Sequence, residues 1–295
     1  MSKPVLAFLL ITAGATGLLY SFLGAPPTDP SSSGLRLPSS PRLALAEEEK
    51  AKTSTKPAER KKVDKATAVA VPATTEKTYP AQDPSKGALE GRIVFEGELP
   101  ELKVPEIRRD HAERATCLGH LKNEQLILSK KGEIKDVVVS VAKYKPKKRV
   151  KPRAVRLENK DCTFVPHVLA TTTGSRLTIT NTDAFLHNTR AVLAASFNRA
   201  VGPGSELVQT LRKPGWAPIG CDIHPWMKAH MWIFAHDLFD VTGTNGAYRI
   251  PNIPPGEYDI EYWHEYPLKR QTKKVTIEAG KTTRQDVTFR KQVKK

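Results

Sequence analysis

The chain has 295 residues, 39% hydrophobic and 26% charged, which is the composition of one or two globular domains. Its mean hydropathy of -0.42 excludes a protein that crosses a membrane many times. A net charge of +16 makes the surface attractive to anions, and three cysteines without a C-x-x-C spacing exclude an attached c-type haem, a four-cysteine zinc ribbon, a thioredoxin-type pair and a cysteine-ligated iron–sulfur cluster.

Residues 1–25 read as an export signal. After Lys3 an uncharged apolar run continues to Leu23, and its length fits either a cleaved signal peptide or a retained N-terminal membrane anchor. Export places the mature chain in the periplasm or another extracytoplasmic space, free or tethered. Residues 26–87 are rich in Pro, Ser, Thr, Ala, Lys and Glu, too poor in apolar surface to offset chain entropy, and predict a disordered linker.

From residue 88 onward, short alternating runs bounded by Gly and Pro predict an all-β protein built of β-sandwiches. The predicted strands are Leu89–Phe95, Ile134–Val141, Leu177–Asn181, Met231–Phe234, Tyr248–Ile250, Tyr258–Trp263, Lys274–Ile277 and Gln285–Phe289. The best helix candidate is the polar stretch Pro105–Leu121. Residues 88–153 form an N-terminal β segment, 154–236 a central domain and 237–292 a C-terminal module. Between the first two, Lys145, Lys147, Lys148, Arg149, Lys151, Arg153 and Arg156 form an acid-free basic stretch. It reads either as a solvated loop or as a docking surface for an acidic protein or an anionic membrane or envelope. No motif that reads nucleic acid accompanies the charge, so nucleic acid is not expected as a partner.

The chemistry concentrates in Gly220-Cys221-Asp222-Ile223-His224-Pro225-Trp226-Met227, which places a thiol, an imidazole and a thioether at C-x2-H-x2-M spacing, and in His187-Asn188 upstream. Two His, one Cys and a Met are the donors of a type 1 copper site. Thiolate and thioether stabilise Cu(I), and imidazole tolerates both oxidation states.

Residues 154–236 resemble the cupredoxins, whose fold is a Greek-key β-sandwich. The Cys-x-x-His-Pro-aromatic-Met loop is most similar to that of amicyanin, while the plastocyanin loop is two residues longer. The resemblance implies one copper held by His187, Cys221, His224 and an axial Met227, with Asn188 hydrogen-bonding between the two ligand-bearing segments. It also implies that His224 passes electrons through an exposed ring edge, in an apolar patch to which Pro225 and Trp226 contribute; simple packing is the alternative for Trp226. Strands within Val192–Pro218 are not assigned.

With Cys221 given to copper, Cys117 and Cys162 are a disulfide candidate in an oxidising compartment. A second metal site using Cys162 with His167, or Cys117 with His111 and His120, stays open. His230, His236 and His264 read as strand or loop residues. The run Val241–Ile260, with its Asn245-Gly246 and Pro254-Pro255-Gly256 turns, resembles the carboxypeptidase regulatory-like family, a non-catalytic transthyretin-like sandwich. Because 237–290 is too short for a comfortable core, residues 88–145 are expected to complete that sandwich, with the copper domain inserted between the two halves.

The expected function is one-electron transfer to or from a redox protein, with an acidic partner favoured, and not catalysis, since no coordination position is left for a substrate. The alternatives are a copper-binding or storage protein and an envelope binding module whose copper fold is vestigial.

Overall fold

The computed structural model describes residues 77–290 apart from 99, 100, 267 and 269. The export segment 1–25 and the linker as far as residue 76 lie outside the described residues. The rest is an all-β chain with one short helix, α1 (Arg114–Cys117). Its strands are β1 (Gly87–Glu96), β2 (Val138–Val141), β3 (Ala154–Lys160), β4 (Thr163–Val165), β5 (Val168–Thr172), β6 (Arg176–Asn181), β7 (His187–Ala191), β8 (Phe197–Val201) and β9 (Glu206–Thr210). They continue as β10 (Gly215–Gly220), β11 (Lys228–Phe234), β12 (Phe239–Val241), β13 (Ala247–Ile253), β14 (Gly256–Trp263), β15 (Gln271–Ile277), β16 (Thr282–Arg284) and β17 (Val287–Arg290).

These strands make two sandwiches. The inserted sandwich is continuous in sequence: a sheet in the order β4-β3-β6-β9 faces a sheet in the order β5-β11-β10-β7-β8. The split sandwich uses both ends of the described chain. Strand β1 lies between β13 on one side and β16 and β17 on the other, and the facing sheet runs β12-β2-β14-β15. Each sandwich has its own core. Leu157, Phe164, Leu177, Ile179 and Met231 fill the first, and Leu89, Ile93, Ile250, Ile260 and Tyr262 the second.

Period-two alternation explains how the sandwiches meet. On β11, Ala229, Met231 and Ile233 point into the inserted core, while His230, Trp232 and Phe234 face the split sandwich. There Trp232 meets Trp263 at 5.6 Å between ring centroids and Phe234 stacks on Phe239 at 4.7 Å. A seam of aromatic rings thus joins the sandwiches, with Trp216 of β10 stacked on His230.

Several sequence expectations differ in detail. Pro105–Leu121 is not a helix beyond the single turn of α1. It carries no apolar stripe at helical period, and what it buries, Ile107 and Cys117, is used to anchor an irregular segment against Cys162. Strand β2 begins only at Val138, because Asp136 takes the left-handed backbone (φ 65) and breaks the run that starts at Ile134. The predicted Gln285–Phe289 strand starts only at Val287, as β17; Gln285 and Asp286 lie in the gap after β16, where the Asp286 carboxylate accepts the Arg92 backbone N–H at 2.8 Å. The unassigned Val192–Pro218 stretch contains β8, β9 and the start of β10. Residues 77–86, placed in the linker by composition, lie against the split sandwich, with Tyr79 donating to Asp240 at 3.0 Å.

Candidate metal centre

Pairing of β7 with β10, Arg190 opposite Gly220, sets the start of β7 beside the loop that leaves β10. His187 opens β7, and Cys221 and His224 lie on the loop that turns back into β11. One donor atom from each of His187, Cys221 and His224 falls within 4.8 Å of the others, and all three residues are buried. Cys221 Sγ is 3.5 Å from His224 Nδ1. Met227 closes the same loop: its N–H donates to the His224 carbonyl at 2.9 Å, and its side chain is buried in the core that also contains Cys221.

Asn188 links the two segments. Its Oδ1 accepts the Asp222 N–H at 2.8 Å and lies 3.3 Å from Cys221 Sγ, while its amide donates to Asn198 and Asp222. Asp183, which sequence reasoning did not single out, orients the first imidazole. Its Oδ2 is 2.9 Å from His187 Nε2, and the same carboxylate accepts the N–H groups of Asp161 and Cys162 in the β3–β4 turn. A carboxylate holding one ring nitrogen leaves the other free to ligate. The signal for it was an acid four residues before a candidate ligand.

The electrostatics suit a cation. Burial lowers the pKa of His187 and takes that of His224 to about 4, with His187 adding to the second shift, so both rings are neutral near pH 7. Burial also raises the Cys221 thiol. His187 Nδ1 is buried with no hydrogen-bond partner. Two neutral imidazoles and a thiol that ionises on binding a cation therefore converge on one point, and the residues fit a metal that takes nitrogen and sulfur.

The outer side of the loop departs from expectation. His224 has no exposed edge: its relative exposure is 0%. The irregular segment around α1 covers it, with the His111 ring at 5.3 Å and Glu113 Oε2 at 3.6 Å from His224 Nε2. Trp226 sits in the same cover, edge-on to His111 at 4.7 Å and 5.1 Å from His224, and Phe185 closes the other side at 5.5 Å. Of the two residues expected to form an open patch, Pro225 is exposed and Trp226 is packed. Exposed large apolar side chains immediately precede the two candidate ligand histidines: Leu186 before His187 and Ile223 before His224. Sequence reasoning could not see this cover, because His111 and Glu113 lie more than a hundred positions from the loop.

Cys117 and Cys162 form a disulfide, leaving Cys221 as the free thiol. That removes the proposed second sites on Cys162 with His167 and on Cys117 with His111 and His120, since a disulfide sulfur is not a thiolate ligand. His111 instead contacts the Ile223 carbonyl at 3.0 Å, and His120 faces Asp161 at 4.0 Å. All seven cations of the 145–156 stretch are exposed. Lys147, Lys148, Arg149 and Arg153 line a groove of about 940 Å³ with Lys77 and Arg249. No helix among the described residues is long and apolar enough to cross a membrane.

No family model matches the chain, and no curated protein matches it. Among solved structures the chain is similar to cupredoxin-fold proteins at low coverage. A copper-containing nitrite reductase from Thermus scotoductus SA-01 is 24% identical over 31% of this chain and 24% of that one, with a TM-score of 0.27. A purple cupredoxin from Nitrosopumilus maritimus is 19% identical over 27% of this chain and 99% of that one, with a TM-score of 0.25. A Cu(I) amicyanin variant is 16% identical over 28% of this chain and 82% of that one, with a TM-score of 0.25. The chain thus spans about a quarter of the reductase.

Proposed function

We propose that this chain is an exported, mononuclear type 1 copper protein that carries single electrons. The observation behind this reading is the convergence of the buried His187, Cys221 and His224 donors, with His187 held through one nitrogen by Asp183 and its other nitrogen unpartnered. His187, Cys221 and His224 would hold the metal, with Met227 as the weak fourth donor. Bound copper supplies one-electron cycling between Cu(II) and Cu(I). The protein's own contribution is to fix the rings, keep the thiol out of water and, through Asn188, tie the two ligand segments together.

The exposed Leu186 and Ile223 mark the surface nearest the ligands for a redox partner, and the basic 145–156 stretch suits an acidic one. The split sandwich, with its Asn245-Gly246 and Pro254-Pro255-Gly256 turns, is read as a non-catalytic carboxypeptidase regulatory-like module. Full burial of His224 favours one second reading, a protein that holds copper and does not pass electrons.

The test is to add Cu(II) to the purified chain and to Cys221→Ser, recording visible and EPR spectra. An intense thiolate-to-copper band in the parent, absent from the variant, is expected; its absence from the parent overturns the reading. Slow reduction of the loaded protein by a small redox protein would favour the holding role.

A further inference from the structure

A second cluster of donors lies at the junction of the two sandwiches, on residues that the first site does not use. His167 stands just before β5, His230 on β11, Glu265 just after β14, and Glu124 on the irregular chain before β2. Pairing of His230 with Val168, and the His230 N–H donated to the His167 carbonyl at 2.8 Å, fixes the two imidazoles side by side with ring centroids 5.7 Å apart. The split sandwich contributes the carboxylate. Ligand atoms of His167, His230 and Glu265 all lie within 4.8 Å of one another.

The contacts within this cluster are close but poorly directed. His167 Nε2 is 2.9 Å from Glu265 Oε1, yet neither atom has a partner in hydrogen-bond geometry, and both are buried. His167, only 5% exposed, also has an unpartnered Nδ1, which lies 3.6 Å from Glu124 Oε2. Glu265 Oε2 is in contact with His230 Nε2. Buried polar atoms left without partners are costly, so several in one place indicate a missing partner. Atoms that converge on a point, and not along each other's hydrogen-bond directions, are arranged as ligands are. A cavity of about 380 Å³, lined by Glu124, His167 and Glu265, gives the cluster a way in.

We infer that His167, His230 and Glu265, with Glu124 beside them, form a second metal site that takes a divalent first-row ion, Zn²⁺ or Cu²⁺, and staples the inserted sandwich to the split one. The donor chemistry selects the ion. Two imidazoles with one or two carboxylates and no thiolate favour Zn²⁺ or Cu²⁺, whereas the thiolate site described above favours copper that cycles. A divalent cation that displaces any ring proton on ligation balances the charge of the two carboxylates. Because the ligands come from both sandwiches, binding to the folded form alone stabilises their junction by mass action.

The experiment uses the full chain and three variants: Glu265→Gln, His230→Ala, and Cys221→Ser/His224→Ala, which disables the first site. Each is titrated with Zn²⁺ and, separately, with Cu²⁺, with stoichiometry, affinity, Cu²⁺ EPR and thermal unfolding recorded. Cys221→Ser/His224→Ala should still bind one equivalent, with a Cu²⁺ spectrum free of thiolate character, and unfold at higher temperature with metal than without. Glu265→Gln should bind at this site at least tenfold more weakly while keeping the thiolate-to-copper band; being nearly isosteric, it separates lost ligation from lost fold. Failure of Cys221→Ser/His224→Ala to bind either ion while its metal-free form unfolds cooperatively, or second-site affinity unchanged in both Glu265→Gln and His230→Ala, overturns the inference and leaves a closed ion triad. Neither result bears on the thiolate site, whose band is read separately; preference for Zn²⁺ or Cu²⁺ decides which ion occupies it.

Discussion

His236 shows what one side chain does at the joint between the sandwiches. It is 6% exposed between β11 and β12, flanked by the rings of Tyr144, Phe234 and Phe239, and its Nδ1 accepts the Leu238 N–H at 3.2 Å. Burial takes its pKa from 6.5 to about 4, and Asp237 opposes this only in part. The sign follows from linkage: between pH 6.5 and 4 the unfolded chain binds a proton at this ring that the folded chain does not. Stability contributed by the neutral ring is therefore complete above pH 6.5 and is lost as pH falls toward 4, by up to about 3 kcal/mol. His236→Asn, which keeps an acceptor near the Leu238 N–H, should flatten the acid limb of the stability curve. Denaturant unfolding from pH 7 to 4 checks it, and identical acid limbs would remove this role. At this scale the sequence was partly legible. His187, Cys221, His224 and Met227 were visible because their residue types and short spacing carry chemistry on their own. Asp183, Glu113 and Glu265 were not, because a carboxylate acquires meaning only from the ring it faces.

Among the elements, the cover over His224 has the least regular structure and the clearest purpose. Ile107 and Cys117 bury against Cys162, with Leu121, Phe185 and Trp226 packed around them, and the disulfide joins residues 45 apart. The cover is held by a covalent tie and a small satellite core, not by helix propensity, and for that reason a helix was the wrong expectation for Pro105–Leu121. The tie also reaches the candidate metal centre: Asp183 accepts the Cys162 N–H and contacts His187 with the same oxygen. Closing a loop of this length is worth about 4 kcal/mol in the chain-entropy account. Cys117→Ser/Cys162→Ser should lower the unfolding free energy by up to that amount and make a chelator strip bound copper faster. Thermal unfolding and chelator-exchange rates read the two effects. An unchanged stripping rate would show that the cover does not limit access to His224.

For the whole molecule, the decisive feature is that β1 sits inside the split sandwich and not at its edge. It pairs with β13 on one side and with β16 and β17 on the other, while β2 lies between β12 and β14. A protease cut in the exposed 145–156 stretch should therefore leave the two fragments associated under native conditions and separable only in denaturant. Size-exclusion chromatography of the nicked protein checks this; release of a folded N-terminal fragment would contradict the pairing. By itself, the sequence determined the all-β class, through period-two alternation, and the ligand loop, through residue types that have few other uses at that spacing. It also determined that residues 237–290 are too short to bury a comfortable core alone. Only the tertiary structure decided that His224 is covered, that Cys117 meets Cys162, and that His167, His230 and Glu265 share one point. Each of these depends on side chains from distant strands arriving at one place, and that arrangement follows from sheet pairing and the seam of rings between the sandwiches, not from any local run of residues.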